Sequence, residues 1–364
     1  MVTISLCMIV KNEEDVLERC LNSVKDLVDE INIVDTGSTD KTVEIAKQYT
    51  DRIFFFQWTG KFKDARNESF KFATKDYIFY LDADDVLLEE DRKKLKYLKE
   101  TLDSNVDSVS MFYNAGVDEY GNVTLRYRRN RLLKRTRNFQ WKGDVHNYIE
   151  VSGHIINSDI AITHLKNSHA VRRNLSIYES KIKNGDVFTT RDYFYYGNEL
   201  RENGHFQDAI ESYNKAVERK DGWLEDKIYS CVFRADCYRL LGDKEKERSS
   251  LFLALELAKT PRPEICCRIG YNFQQGSDYY SAVFWYELAT TLPDDPNKWS
   301  FTYPAYSTWY PHQQLCVCYY HLQDFEKSYM HNEKAREFRP TDERILFNQK
   351  LLESKRKSLS SLSK

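Results

Sequence analysis

An α/β domain with a mainly parallel sheet, followed by an all-α domain of helical repeats, is the fold class this 364-residue sequence predicts. Over residues 1–168, short apolar runs alternate with segments of helical spacing, as in βαβ units. From about residue 190 the strand-like runs stop and helical segments recur. Within the first pattern lies "YIFYLDADD" (Tyr77 to Asp85), where a run of large apolar residues ends in three acids. The length suits two domains, at roughly 150 residues each. A net charge of −2 gives no basic field to recruit nucleic acid or an acidic membrane. The chain has 25 Tyr and 20 Phe against 13 Gly and 7 Pro, which argues against a disordered chain or a loop-rich β protein.

In the first half, "TISLCMIV" predicts a strand, and Glu13 to Val28 a helix with Val16, Leu17, Cys20, Leu21 and Val24 at helical spacing. "EINIVD" is a second strand, and Thr42 to Tyr49 a helix after the turn "TGSTD". "RIFFFQW" is a third strand, Asp64 to Ala73 a helix and "YIFYLD" a fourth strand. Arg92 to Leu102 continues as a helix, followed by "SVSMFY" and the basic strand region "LRYRRNRLLKR". In that region Arg128 and Arg131 are candidates to face phosphates, and a solvated strand edge is the alternative.

The second half repeats one unit. "NELRENGHFQDAIESYNKAV", "ADCYRLLGDKEKERSSLFLAL", "GYNFQQGSDYYSAVFWYELAT" and "CVCYYHLQDFEKSYMHNEKAR" align on residue pairs seven apart. These are Ala209/Ala216, Glu247/Ala254, Ala282/Ala289 and Ser328/Ala335. Successive units start 38, 35 and 46 residues apart, counted from Ala209, Glu247, Ala282 and Ser328. The pattern resembles tetratricopeptide repeats, whose period is about 34 residues. Gly204, Gly242 and Gly276 mark the turns inside the hairpins. Most repeat aromatics fill repeat cores; Trp299 and Trp309, in a Pro-rich insertion, are candidates for an outside contact. The expected division is 1–168 for the α/β domain, 169–189 for a connecting helix or linker, 190–345 for the repeats and 346–364 for a polar, frayed tail.

In a doubly wound sheet, loops at the carboxyl ends of strands converge on the ligand. Three such loops carry chemistry here: Val10, Lys11, Asn12 and Glu13; Asp35 and Gly37; and Asp82, Ala83 and Asp84. Carboxylates spaced i, i+2 suit a hard divalent cation that clamps a diphosphate. The same letters also suit a strand followed by a helix N-cap.

Four ordered stretches, "SLCMIVKNEEDVLERCLNSV", "INIVDTGSTDKTVEIA", "DARNESF" and "YIFYLDADD", resemble the family 2 glycosyltransferases of GT-A fold over residues 3 to 165. The resemblance implies a UDP-sugar donor and Mg²⁺ or Mn²⁺. It implies that Asp35 holds the base, Arg66 approaches the base or diphosphate, Asp82 binds the ribose or metal, and Asp84 binds the metal. "FQWKGDVHNYIEVSG" resembles a segment of repeat-bearing members, which makes His146 a third metal ligand. Relatives commonly have an acid after that His, where this chain has Asn147. Asp144 is therefore the first candidate base and Glu150 the second. His164 is expected to be structural.

Within the family, the architecture resembles bacterial peptide glycosyltransferases acting on Cys or Ser. It implies inverting transfer from UDP-glucose or UDP-N-acetylglucosamine to a peptide or protein docked on the repeats. Transfer to a cell-surface polysaccharide or lipid-linked glycan is the alternative, and a repeat scaffold with an inactive catalytic domain is another. Nucleotidyl transfer is disfavoured, because the first loop, "VKNEE", is acidic. Eight cysteines without a C-x-x-C pair suit a reduced compartment, and the N-terminus reads as a strand and not a signal peptide. No run of about 18 apolar residues spans a bilayer. The expectation is a cytoplasmic protein with no membrane span and no nucleic-acid partner, and with a homodimer open.

Overall fold

The computed structural model describes residues 1–143, 145–165, 173–293 and 295–362. It forms two compact units. One holds Met1–Asp118, Val123–Ser168 and Asn297–Thr302, and the other Glu119–Asn122, His169–Pro296 and Tyr303–Lys364.

The first unit runs β1 (Ile4–Val10), α1 (Leu17–Asn22), β2 (Glu30–Asp35), α2 (Thr42–Ala46), β3 (Ile53–Phe55), α3 (Phe62–Lys71) and β4 (Tyr77–Tyr80). It continues with β5 (Asp85–Val86), α4 (Glu89–Thr101), β6 (Ser108–Val117), β7 (Val123–Lys134), β8 (Trp141–Lys142), β9 (Tyr148–Ile149) and β10 (Ile155–His164). Eight strands make one sheet in the order β3-β2-β1-β4-β7-β6-β10-β5, while β8 and β9 pair separately. The β1–β2, β2–β3, β1–β4 and β6–β10 pairs are parallel. The arginine-rich β7 is antiparallel to both β4 and β6. It is an interior strand and not a solvated edge, so its cations need partners inside the fold. Ile4, Leu6 and Met8 of β1 are buried with Leu17 and Leu21 of α1 and Ile33 of β2. Each such side chain contributes about 1.5–3 kcal/mol of hydrophobic stabilisation. Helix α1 is shorter than its apolar spacing suggests. The Glu13 amide donates to Thr42 Oγ1 and the Glu14 amide to Asp40 Oδ2, which ties residues 13–14 to the neighbouring loop.

The second unit is helical. Its elements are α5 (Arg173–Lys183), α6 (Thr190–Glu202), α7 (Phe206–Glu218), α8 (Leu224–Leu240), α9 (Lys244–Ala258), α10 (Pro263–Gln275) and α11 (Tyr279–Thr291). A 3₁₀ turn over Pro304–Tyr306 precedes α12 (Trp309–His321), α13 (Phe325–Phe338) and α14 (Glu343–Leu362). Helices α6/α7, α8/α9, α10/α11 and α12/α13 pack as hairpins. All of the paired residues are buried, Glu247 among them, and a Cβ on Gly197 of α6 would lie 2.6 Å from the Tyr213 ring of α7. Asp243, Asp278 and Asp324 each cap the second helix of a hairpin by accepting a backbone N–H.

The turn position needing left-handed backbone falls on Gly204 and Gly242 in the first two hairpins, but on Ser277 and Gln323 in the last two. Gly276, expected as a turn glycine, has a negative φ of −90°. The segment expected as a polar tail is largely helix α14, because Ile345 and Leu352 are buried and the Ile345 carbonyl accepts from Asn332. Trp309 lies under the Arg339 guanidinium, 4.4 Å from its ring centroid, so this aromatic packs internally. All eight cysteines are free thiols and buried. Among the described residues, no helix is long and apolar enough to cross a membrane.

Candidate active site

Strand β4 carries four buried residues, Tyr77 to Tyr80, between β1 and β7. The chain then leaves the sheet in a tight turn. The Asp85 amide donates to the Asp82 carbonyl at 3.0 Å, and the Asp82 amide to Asp85 Oδ2 at 3.1 Å. Asp82 and Asp84 are partly exposed, whereas Ala83 and Asp85 are buried.

Asp85 anchors the turn. Its side chain and that of Arg131 are both fully buried, with Nη2 3.0 Å from Oδ2. Arg131 Nη1 also donates to the Tyr80 carbonyl, and the guanidinium lies between the Tyr80 and Tyr113 rings. Burial alone would raise the Asp85 carboxyl, but Arg131 and the other nearby partners outweigh it and hold the group low.

Antiparallel pairing of β5 with β10 sets His164 opposite Asp85. His164 Nδ1 lies 3.2 Å from Asp84 Oδ1 and 3.5 Å from Asp85 Oδ1. Burial acts against the charged imidazole, yet the two carboxylates push it up to about 9. One ligand atom from each of Asp84, Asp85 and His164 fits within 4.8 Å of the others. Both Asp85 Oδ1 and His164 Nδ1 are buried without a well-oriented hydrogen-bond partner. A buried carboxylate oxygen and an imidazole nitrogen, both unpartnered beside the Asp84 carboxylate, are ligand atoms that suit a divalent ion. The structure thus gives His164, expected to be structural, a place in the acidic cluster.

Asp82 points elsewhere. Arg66 Nη2 lies 2.6 Å from its Oδ1, and Arg129 Nη1 lies 3.9 Å from its Oδ2. Arg66 stacks 4.4 Å from the Trp141 ring centroid. Asn67 holds that indole in place, since its amide donates to the Trp141 carbonyl and accepts from the Trp141 amide. Neither Asn67 nor Trp141 was singled out from the sequence, although Asn67 stands inside "DARN".

The remaining expected residues lie in the first two loops. Asp35 is buried and accepts from the Gly37 and Ser38 amides, and Gly37 has a φ of 103° that favours glycine. The Val10 carbonyl accepts from Thr36, and Asn12 Oδ1 from the Thr39 amide, which fastens the first loop to the second. Lys11 is exposed. Glu13 is pushed up to about 7 by burial and by the charges of Asp84, Asp82 and Asp40.

Thus Glu13, Arg66, Asp82 and Asp84 are drawn towards one centre. His146, with a φ of 45°, is partly exposed and stands outside the Asp84–Asp85–His164 cluster. Glu150 is exposed and paired with Lys142 across β8–β9. Asp144 lies outside the described residues.

Residues 5–156 match the family described as glycosyl transferase family 2, and residues 193–221 match the tetratricopeptide repeat. The SPbeta prophage-derived glycosyltransferase SunS of Bacillus subtilis is 27% identical over 285 residues, 74% of this chain and 65% of SunS. A TPR repeat-containing protein of Synechococcus elongatus is 47% identical over 90 residues, 25% of this chain and 22% of that protein. An uncharacterized glycosyltransferase of Rickettsia felis is 36% identical over 95 residues, 26% of this chain and 33% of that protein. The chain therefore spans less than two thirds of the length of each of these relatives.

Proposed function

We propose, for a chain whose residues 5–156 are a glycosyl transferase family 2 domain and which carries tetratricopeptide-like repeats, that it moves a sugar from a UDP-sugar to a peptide Cys or Ser side chain. UDP-glucose or UDP-N-acetylglucosamine is the donor class, and the transfer inverts the anomeric centre in a single displacement. The observation that carries the proposal is the Asp84–Asp85–His164 cluster at the carboxyl end of β4, flanked by Arg66 and Arg129 at Asp82. A Mg²⁺ or Mn²⁺ ion held by these three side chains would neutralise the leaving diphosphate, and His146 is a further donor that the family likeness suggests.

The protein's own groups divide the remaining work. Asp35 and its turn are the candidate contact for the base, and Asn12 keeps that turn attached to the first loop. Asp82 is the candidate ribose contact, oriented by Arg66. The acceptor must lose a proton, and Asp144 and Glu150 are the candidate bases. A thiol acceptor eases that demand, because Cys ionises near pH 8.5. The helical repeats offer the docking surface for a polypeptide.

The test is UDP release from a panel of UDP-sugars with Mn²⁺, with and without peptides containing Cys or Ser. Release from one donor, raised by peptide and matched by a hexose or N-acetylhexosamine mass gain on it, is the expected result. Release raised only by a saccharide acceptor would overturn the peptide assignment. No release from any donor would overturn the transferase assignment itself.

A further inference from the structure

Strand β7 carries four arginines, and three of them are committed to the protein. Arg126 donates to Asn114 and stacks on Phe112. Arg128 donates to Ser110 and to the Ser158 carbonyl and lies 3.9 Å over Phe112. Arg131 holds Asp85 and the Tyr80 carbonyl.

Arg129 differs. Among the described residues its one side-chain hydrogen bond is Nη2 to the Tyr127 hydroxyl, at 2.9 Å. The guanidinium is held 4.3 Å from the Tyr113 ring centroid and 5.3 Å from that of Tyr127. Among the described residues its nearest carboxylate, Asp82, stands at 3.9 Å, too far for a hydrogen bond, and is already taken by Arg66 at 2.6 Å. Two cations therefore share one carboxylate, and Arg131 separately neutralises Asp85. Among the described residues Arg129 therefore has no close carboxylate of its own, and its side chain is 29% exposed. Aromatic faces fix the position of the fork, so little freedom is lost when it meets an anion.

We propose that Arg129 contacts the diphosphate of the donor nucleotide directly, so that part of the preference for a nucleoside diphosphate over a monophosphate needs no metal. This rests on the nucleotide-sugar assignment above. A guanidinium suits the task because it can give two parallel hydrogen bonds to phosphate oxygens.

The test is calorimetric titration of the full chain with UDP and with UMP in EDTA, for the wild type, Arg129→Met and Arg129→Lys. The wild type should prefer UDP. Arg129→Met should lose about tenfold of that preference through weaker UDP binding, with UMP binding unchanged. Arg129→Lys keeps the charge without the fork and should fall between the two. If Arg129→Met melts well below the wild type, Arg129→Lys supplies the readout. A UDP-to-UMP ratio that survives in a folded variant overturns the inference alone. A wild type that binds no UDP in EDTA overturns the inference, and one that binds none with Mn²⁺ either overturns the UDP-sugar assignment as well.

Discussion

The Asp82–Asp85 turn and the Gly143–Asn147 segment both look, in the sequence, like parts of one metal site, yet the protein holds them by different means. The first follows a strand buried in the sheet and is locked by a fully buried Asp85–Arg131 pair. The second lies between two-residue strands and includes positive φ angles at Gly143 and His146. The Asn147 side chain donates to the Gly143 carbonyl, a bond local to the segment. Acids fixed by a sheet keep their positions before any ligand arrives, and that preorganisation is what charge stabilisation in a transition state requires. His164 comes from a paired strand and stands with the acids; His146 comes from a short turn and does not.

Variants can break or sharpen this contrast. The largest expected effect is Asp84→Ala, which should lower Mn²⁺-dependent UDP release by about a thousandfold while leaving the melting temperature nearly unchanged. Turnover near the wild-type rate would remove Asp84 from the metal site. Next comes Arg131→Met, which leaves Asp85 buried without its cation. The expected loss is about 3–5 kcal/mol, seen as a fall of about 10 °C in a thermal melt. A melt that does not move would mean that the turn is not anchored this way.

The two histidines give a direct comparison. His164→Ala should weaken Mn²⁺ binding about 10- to 100-fold, and His146→Ala should weaken it less, by calorimetry on the nucleotide-free protein. The reverse order would return the third-ligand role to His146. The smallest effect belongs to Glu13. Its carboxyl, ordinarily near 4.5, is raised to about 7, so the folded protein favours the protonated form. That contribution is present below about pH 4.5 and is lost as the pH rises through 7. Glu13→Gln should therefore raise the melting temperature by about 2 °C at pH 8 and leave it unchanged at pH 4. A gain of equal size at both pH values would point to packing instead of charge.

What could be read in advance follows from the range of the interactions. The strands from β1 to β4 carry apolar runs, and acids at the end of such a run are a local signal, so the fold class and an acidic turn after β4 were legible. The repeats were legible because Ala209/Ala216 and Ala282/Ala289 recur in phase with a helical hairpin. His164 was not legible, because its contact with Asp84 depends on the β5–β10 pairing, which joins residues far apart in the chain. Arg131 and Arg128 looked like solvated or phosphate-facing cations. Only the strand order, with β7 inside the sheet, reveals that both are internal partners. Asn67 escaped notice because its amide bonds to a backbone edge, and no spacing rule records that.

The burial of all eight cysteines has a chemical consequence of its own. Burial raises each thiol above its ordinary value, with Cys231 and Cys237 at about 11 and Cys7 at about 12. At pH 8 a thiol near 11 is ionised in only about one molecule per thousand. If the acceptor is a cysteine side chain, the described fold offers no accessible thiol of its own and is insulated from modifying itself. Alkylating reagents would then report the consumption of acceptor thiols in the reaction mixture, with the folded protein contributing no background.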